Sequence, residues 1–267
     1  MALVKLGDIE LDCERSGAGP PLLLIMGMSG TTLHWGEPFL DALRQDFEVI
    51  VYDHRGVGAS SRLKGPITIR ELAEDAADLL AALGIDSAHV LGISMGGMIA
   101  QELALAYPER LRTLSLGCTH CGGQGSLHPA PDVLQRLAEG MMSGDREQAI
   151  RVAWEVNVSP GFAANPDAWA RFLEIGLRRP VSVQVIMAQL RAITQHDTRE
   201  RLAQLALATL IVHGTVDEMI PVQNGHLIAG LIPSARLEIL EGIGHLFFWE
   251  QPERSAELVR THAAVHA

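Results

Sequence analysis

Gly92-Ile93-Ser94-Met95-Gly96 is the part of this 267-residue chain with the clearest chemistry. Ala88-His89-Val90-Leu91 before it reads as a strand. Met98-Ile99-Ala100-Gln101-Glu102-Leu103-Ala104 after it reads as a helix that stops before Pro108. A serine between the two sits on a sharp turn whose strained backbone tolerates almost no neighbouring side chains; Gly92 and Gly96 leave that space, and Gly97 lets the helix lie close. The serine also stands at a helix N-terminus, where free N–H groups and the helix dipole favour developing negative charge. A glycine-rich turn with an incidental serine is the plainer reading; the strand and helix flanks favour a nucleophile.

A serine hydroxyl needs a base to take its proton. Of eleven histidines, His245 stands out, in Glu241-Gly242-Ile243-Gly244-His245 directly after the run Leu237-Glu238-Ile239-Leu240. Loops at the C-terminal ends of strands are where open α/β sheets hold their sites. His213 falls within a strand run and reads as structural, and His34, beside Trp35, could line a pocket. The base in turn needs a carboxylate to fix its tautomer and stabilise the imidazolium. Asp217 offers one in His213-Gly214-Thr215-Val216-Asp217-Glu218-Met219-Ile220-Pro221, with Glu218 as the rival. The other loop that could host an acid, Cys118-Thr119-His120-Cys121-Gly122, holds no carboxylate, which favours Asp217. An acyl-transfer intermediate also needs two N–H donors for its oxyanion. Met95, next to the serine, is expected to give one. Met28, in the turn Gly27-Met28-Ser29-Gly30, is expected to give the other.

The elements that must position these groups alternate. Apolar runs at Leu22–Met26, Phe47–Tyr52, Ala88–Ile93 and Leu111–Leu116 are separated by helical patterns, and further runs follow at Ala208–His213 and Ala235–Leu240. Thr68-Ile69-Arg70-Glu71 is a capping box, followed by Leu72, Ala76, Leu79, Leu80 and Leu83 at helical spacing and by Gly84 as a stop. Near-continuous apolar strands are those buried on both faces, so the alternation predicts a parallel sheet covered by helices. From Gly122 to about Gln195 the strand signal vanishes. Pro131, Pro166 and Pro180 stand where helices could start, and Leu134/Leu137, Trp169/Phe172/Leu173 and Val183/Met187/Leu190 follow helical spacing. We expect a core of residues 1–121 and 198–267 with a helical cap, 122–197, inserted between its strands, and a last helix from Pro252.

Composition narrows the partners. With 48% hydrophobic and 20% charged residues the chain reads as an ordinary globular protein. A formal net charge of -11 disfavours nucleic acid and anionic membranes. No apolar stretch is long enough to span a bilayer, and the first residues lack a signal-peptide pattern. Cys13, Cys118 and Cys121 are too few for a disulfide scaffold, so a reducing cytoplasm is expected. Cys118-Thr119-His120-Cys121 has redox or half-zinc spacing but no second pair to complete a tetrahedral site, and Gly56 and Gly58 lack the rest of a nucleotide fingerprint. No metal and no cofactor is expected.

With these residues in hand the chain resembles the α/β-hydrolases, in the group of serine esterases, 3-oxoadipate enol-lactonases, aclacinomycin methylesterases and cofactor-free haloperoxidases. Besides the serine turn, the resemblance is carried by Asp53-His54-Arg55-Gly56-Val57-Gly58-Ala59-Ser60, the loop from Gly27 to Trp35, the block His213–Pro221 and Gly244-His245. It spans almost the whole chain and is weakest in the inserted block. The order Ser94, Asp217, His245 is the one this fold uses. Met26-Gly27 departs from the His-Gly of many relatives; the backbone donor survives, but the bracing of the loop differs. Relatives acting on epoxides and haloalkanes carry aspartate at the nucleophile position, so Ser94 argues against those chemistries. The resemblance implies a mostly parallel eight-stranded sheet, helices on both faces, a helical cap, and hydrolysis of a small-to-medium carboxylic ester or lactone through an acyl-enzyme, by a chain that could also form a homodimer. Perhydrolase chemistry and a non-turnover small-molecule receptor are the alternatives. Pocket candidates are Leu33, His34, Trp35, Trp154, Trp169, Phe172, Met187, Leu190, Leu246 and Phe247. Arg171, Arg178, Arg179 and Arg191 could meet a carboxylate, with solvated surface as their default.

Overall fold

Helices on both faces explain why the strands of the sheet's centre read as near-continuous apolar runs. In the computed structural model, which describes residues 2–265, strands β1 (Ala2–Leu6), β2 (Ile9–Gly17), β3 (Pro21–Ile25), β4 (Glu48–Tyr52), β5 (Ala88–Ile93), β6 (Leu111–Gly117), β7 (Thr209–Gly214) and β8 (Ala235–Leu240) form one sheet. Its order is β1-β2-β4-β3-β5-β6-β7-β8. All pairs from β4 to β8 are parallel, and β2 joins both β1 and β4 antiparallel. Leu23, Ile25, Val90, Leu114 and Ile211 face one side, with α2 (Ile69–Ala82), α3 (Met95–Ala106) and α9 (Gln223–Leu231). Leu22, Leu24, Leu91, Ile93, Leu210 and Val212 face the other, with α1 (Glu37–Arg44), α10 (Phe247–Glu250) and α11 (Pro252–Val265). The period-2 alternation of a strand is thus present but invisible in hydropathy, because both sides are core.

Strands β1 and β2 escaped the sequence reading for the opposite reason. They form an edge hairpin whose turn uses Gly7 at φ 55°, and charged residues interrupt their apolar pattern. The capping box of α2 forms as expected, with Glu71 N–H donating to Thr68 Oγ1 at 3.1 Å and Thr68 N–H to the Glu71 carboxylate at 2.7 Å.

After β3 the chain moves outward to β4, then returns to β5 on the other side of β3. This reversal of winding direction leaves a crevice at the carboxyl ends of β3 and β5, where doubly wound sheets bind ligands. The turns that leave those two strands are Gly27–Gly30 and Ser94.

Between β6 and β7 the chain is helical: α4 (Pro131–Met142), α5 (Arg146–Asn157), α6 (Pro160–Ala163), α7 (Pro166–Arg178) and α8 (Val183–Thr194). Pro131 and Pro166 open helices, whereas Pro180 does not: the next helix starts at Val183, capped by Ser182. We propose residues 122–197 as an inserted unit. Thr198 N–H donates to Cys121 O at 2.8 Å, so the two ends of the segment meet, as an insertion into a finished sheet requires. Trp154, Val158, Ala168 and Phe172 give it a small cluster of its own. Arg179 holds it to the core through Asp53 (3.1 Å) and Asp12 (3.5 Å).

Several buried histidines are held neutral. Burial pushes His54 and His196 down to about 4. Burial, with the neighbouring His196 and His128, pushes His120 down to about 3. An unfolded histidine takes up its proton near pH 6.5. Between that value and the depressed folded one, the unfolded chain therefore binds more protons, and stability falls as pH falls. We expect urea midpoints to drop steadily from pH 7 to pH 4.5, and His54→Asn to shallow that slope. A midpoint independent of pH over this range would contradict the neutral assignment.

Candidate active site

Ser94 occupies a backbone conformation that side chains avoid, φ 56° and ψ -122°, between β5 and the first residue of α3. Only very close backbones permit it. A side chain at Gly92 would strike the carbonyl oxygen of Gly96, and one at Gly96 would strike that of Ile25 on the neighbouring strand. Ser94 N–H donates to Gly117 O at 2.9 Å, and Thr119 Oγ1 donates to Ser94 O at 2.7 Å, so the end of β6 fixes the turn from both sides. Met95, the first residue of α3, carries an N–H with no helical acceptor. The turn after β3 lies directly opposite: a Cβ built on Gly27 would be 3.1 Å from Ser94 Cβ. Its next N–H belongs to Met28. The Met26 carbonyl that precedes this turn accepts from His54 Nε2 at 2.9 Å, so the bracing that the resemblance put in doubt at Met26 comes from the loop after β4.

Asp217 and His245 meet. His245 Nδ1 lies 2.7 Å from Asp217 Oδ2. A carboxylate only accepts, so Nδ1 carries the proton and Nε2 is left as the acceptor, which is what a base for a serine hydroxyl must be. Asp217 Oδ1 accepts from Met219 N–H and Ile220 N–H, both at 2.8 Å, and His213 Nε2 stands 3.4 Å from Oδ2 while donating to Ile220 O at 2.7 Å. Burial alone would raise the Asp217 pKa. The His245 imidazole and the hydrogen bonds from His213 and His245 outweigh it and hold the carboxyl well below the usual carboxylate range. Glu218, by contrast, is exposed and pairs with Arg136 at 2.7 Å. Ser94 Oγ itself makes no hydrogen bond among the described residues; such contacts often tighten only with substrate present.

The loop that carries His245 is clamped on both sides, a feature with no sequence signature beyond an acid five residues on. Glu250 Oε1 accepts from Gly244 N–H at 2.8 Å and from Ser159 N–H at 2.9 Å, and its other oxygen accepts from Ser159 Oγ. Leu246 N–H donates to Asn157 O at 2.8 Å.

Cys118, at φ 41°, places its sulfur within 4.8 Å of the Asp217 carboxylate and the His245 ring. Such a trio could ligate a metal in principle. Here the carboxylate's oxygens are already taken by His245 and two backbone N–H groups, and burial, with the Asp217 charge, pushes the Cys118 thiol well above its ordinary pKa. Burial likewise raises Cys121, whose sulfur faces Gly122 O and Ser126 Oγ. Both are free, protonated thiols.

Of the pocket candidates, Leu33, His34 and Leu246 are half-buried, and the edge of the His34 ring packs on Phe172 at 5.7 Å. Trp35 and Phe247 are enclosed in the core on the α1 face, and Trp154 with Phe172 in the small helical cluster. Trp169 lies under the Arg151 guanidinium at 3.6 Å, and Met187 and Leu190 are exposed. Helix α8 forms over the residues whose spacing predicts it, and the residues it buries are Val185, Gln189 and Ala192.

The family model for the alpha/beta hydrolase fold matches residues 20–252. This chain belongs to the α/β-hydrolases. It is 33% identical over 255 residues, 95% of this chain and 94% of the other, to the protein named "Putative carbamate hydrolase RutD" of Azorhizobium caulinodans. It is 30% identical to the 3-oxoadipate enol-lactonase 2 of Acinetobacter baylyi, covering 92% of this chain and 90% of the lactonase. A thermophilic esterase from Thermogutta terrifontis superposes with a TM-score of 0.82 at 26% identity, covering 100% of this chain and 99% of that one. The α/β-hydrolase described here is accordingly a hydrolase enzyme with esterase, lactonase and carbamate-hydrolase relatives. Among its described residues no helix is long and apolar enough to cross a membrane.

Two pairs of substitutions test the site. Asp217→Asn should lower kcat by about 10³- to 10⁴-fold, through the wrong histidine tautomer, with little change in melting temperature; Glu218→Gln should stay near wild type. Equal losses in the two would refute the choice of acid. Glu250→Ala should lower kcat roughly 10- to 100-fold by loosening the histidine loop, more than it raises KM, and Glu250→Gln, which keeps one acceptor oxygen, should recover part of the loss.

Proposed function

We propose that this α/β-hydrolase cleaves a small-to-medium carboxylic ester, or a lactone, through an acyl-enzyme on Ser94. The observation that carries the reading is the Asp217–His245 pair, with Nε2 free to accept, at the same sheet edge as a serine in a strained turn.

Ser94 Oγ attacks the carbonyl carbon as its proton passes to His245 Nε2. The carbonyl electron pair moves onto oxygen, where the Met28 and Met95 N–H groups receive it; a donor of this kind is worth about 2.7–4 kcal/mol of barrier. Asp217, kept ionised, stabilises the imidazolium. The intermediate collapses, the bond to the alcohol oxygen breaks, and the imidazolium returns its proton to that oxygen. Water then gives a proton to His245 and attacks the acyl carbon, and Ser94 leaves with the proton restored. In a lactone the alcohol stays tethered to the acid produced. These steps draw on no metal or cofactor.

A panel of p-nitrophenyl esters, small lactones and a p-nitrophenyl carbamate, with release of acid and alcohol followed over many turnovers, tests this. We expect esters or lactones to be turned over repeatedly, and Ser94→Ala to lose at least ~10³-fold. Unchanged rates in Ser94→Ala would remove the nucleophile. Turnover of the carbamate alone would move the substrate class to that of the carbamate-hydrolase relative. Binding with no release would make the protein a receptor.

A further inference from the structure

Gln189 is fully buried, yet only one end of its amide is used. It lies on α8, beside Val185 on the buried face. Its Oε1 accepts from Ser29 N–H at 2.9 Å. That donor fixes the orientation of the amide, because only the oxygen can accept it. The other end, the Nε2 amino group, therefore points two protons away from this bond, and it has no acceptor among the described residues. Ser29 adopts φ 58°, in the turn whose Gly27 abuts Ser94 and which carries Met28, the proposed second oxyanion donor. A polar side chain buried at full depth with an idle donor is unusual in a folded protein, and it calls for a partner that the protein itself does not supply. Here the amide that carries it is bonded to Ser29, the residue after Met28, the proposed oxyanion donor.

We infer that Gln189 is a specificity-determining residue: its Nε2 donates to an acceptor oxygen of the substrate placed a few bonds from the scissile carbonyl, while its Oε1 holds the oxyanion turn. The preferred substrates are thus oxygenated esters rather than plain alkyl ones. The inference rests on Ser94 being the nucleophile. It adds to the lining residues a polar contact that the apolar candidates in the helical segment do not provide. The same amide couples selection to chemistry, since the side chain that reads the substrate also fixes the turn bearing Met28.

Two pairs of esters that differ by one oxygen for one methylene read this directly. The first is p-nitrophenyl 3-methoxypropanoate against p-nitrophenyl pentanoate, with the oxygen on the acyl side. The second is 2-methoxyethyl acetate against butyl acetate, with the oxygen on the alcohol side. The readout is the ratio of kcat/KM within each pair, compared between wild type and Gln189→Met, so that intrinsic reactivity and any shift of the turn cancel. We expect one ratio to fall by about fivefold or more in Gln189→Met, the size of one neutral hydrogen bond. The pair affected identifies the side of the carbonyl that is read. Both ratios unchanged within about twofold would overturn the inference while leaving the serine mechanism intact. Loss of the serine mechanism would show separately, as Ser94→Ala turning over either pair at the wild-type rate. Should Gln189→Met fail to fold, Gln189→Glu is read in mildly alkaline buffer, where its carboxylate still accepts from Ser29 N–H but has no proton to give; the same fall, or its absence, decides.

Discussion

Close backbone approach at the end of β5 is the constraint on which the rest of this molecule depends. A non-glycine residue at positive φ costs on the order of 1–3 kcal/mol, and Ser94 is held there by the close backbone packing at Gly92, Gly96 and Ile25 and by its bonds to Gly117 and Thr119. The cost has a return. The turn lifts the hydroxyl out of the sheet edge, starts α3 directly beneath it, and leaves the Met95 N–H unspent. The reversal of winding between β3 and β5 then brings a second turn alongside, so two strand ends carry the proposed nucleophile and oxyanion donors without any long loop having to be ordered.

The proposed acid and base, Asp217 and His245, solve a different problem, that of keeping a charge in the interior. A lone buried carboxylate would take up a proton. Asp217 stays ionised because two backbone N–H groups, His213 and His245 all converge on it. Its neighbour Glu218 has none of this and points to Arg136 at the surface. The structure thus separates two adjacent acids that sequence could only rank, and the discriminating feature is the turn Asp217–Ile220, which folds its own N–H groups back onto the first carboxylate and leaves the second outside.

What was legible in the sequence follows from which interactions are local. The serine turn, the capping box at Thr68 and the apolar runs of β3 to β8 are short-range patterns, and all lie where expected. The family resemblance supplied the strand count, which the residues alone did not: β1 and β2 form an edge, and their charges hide the period. The inserted helices were legible as helices, but their faces were not. In α8 both Val183/Met187/Leu190 and Val185/Gln189/Ala192 recur at helical spacing, and hydropathy favours the first set because the second contains a glutamine. Tertiary packing chose the second. The polar residue that misled the pattern is the one buried to the full.

The inserted segment meets the site through directional polar bonds as well as through its aromatics, of which Phe172 touches His34 and Trp249. Gln189 reaches the turn after β3, Arg179 reaches Asp12 on β2 and Asp53 just after β4, and Ser159 and Asn157 reach the histidine loop through Glu250 and Leu246. Trp154 and Phe172 meanwhile build the segment's own cluster. This division has a physical consequence. Apolar packing sets how stable the inserted helices are, and a handful of directional bonds sets where they sit relative to the reacting groups. Substitutions in the aromatic cluster therefore act first on stability, whereas substitutions at the polar ties act on the registry between substrate and catalyst.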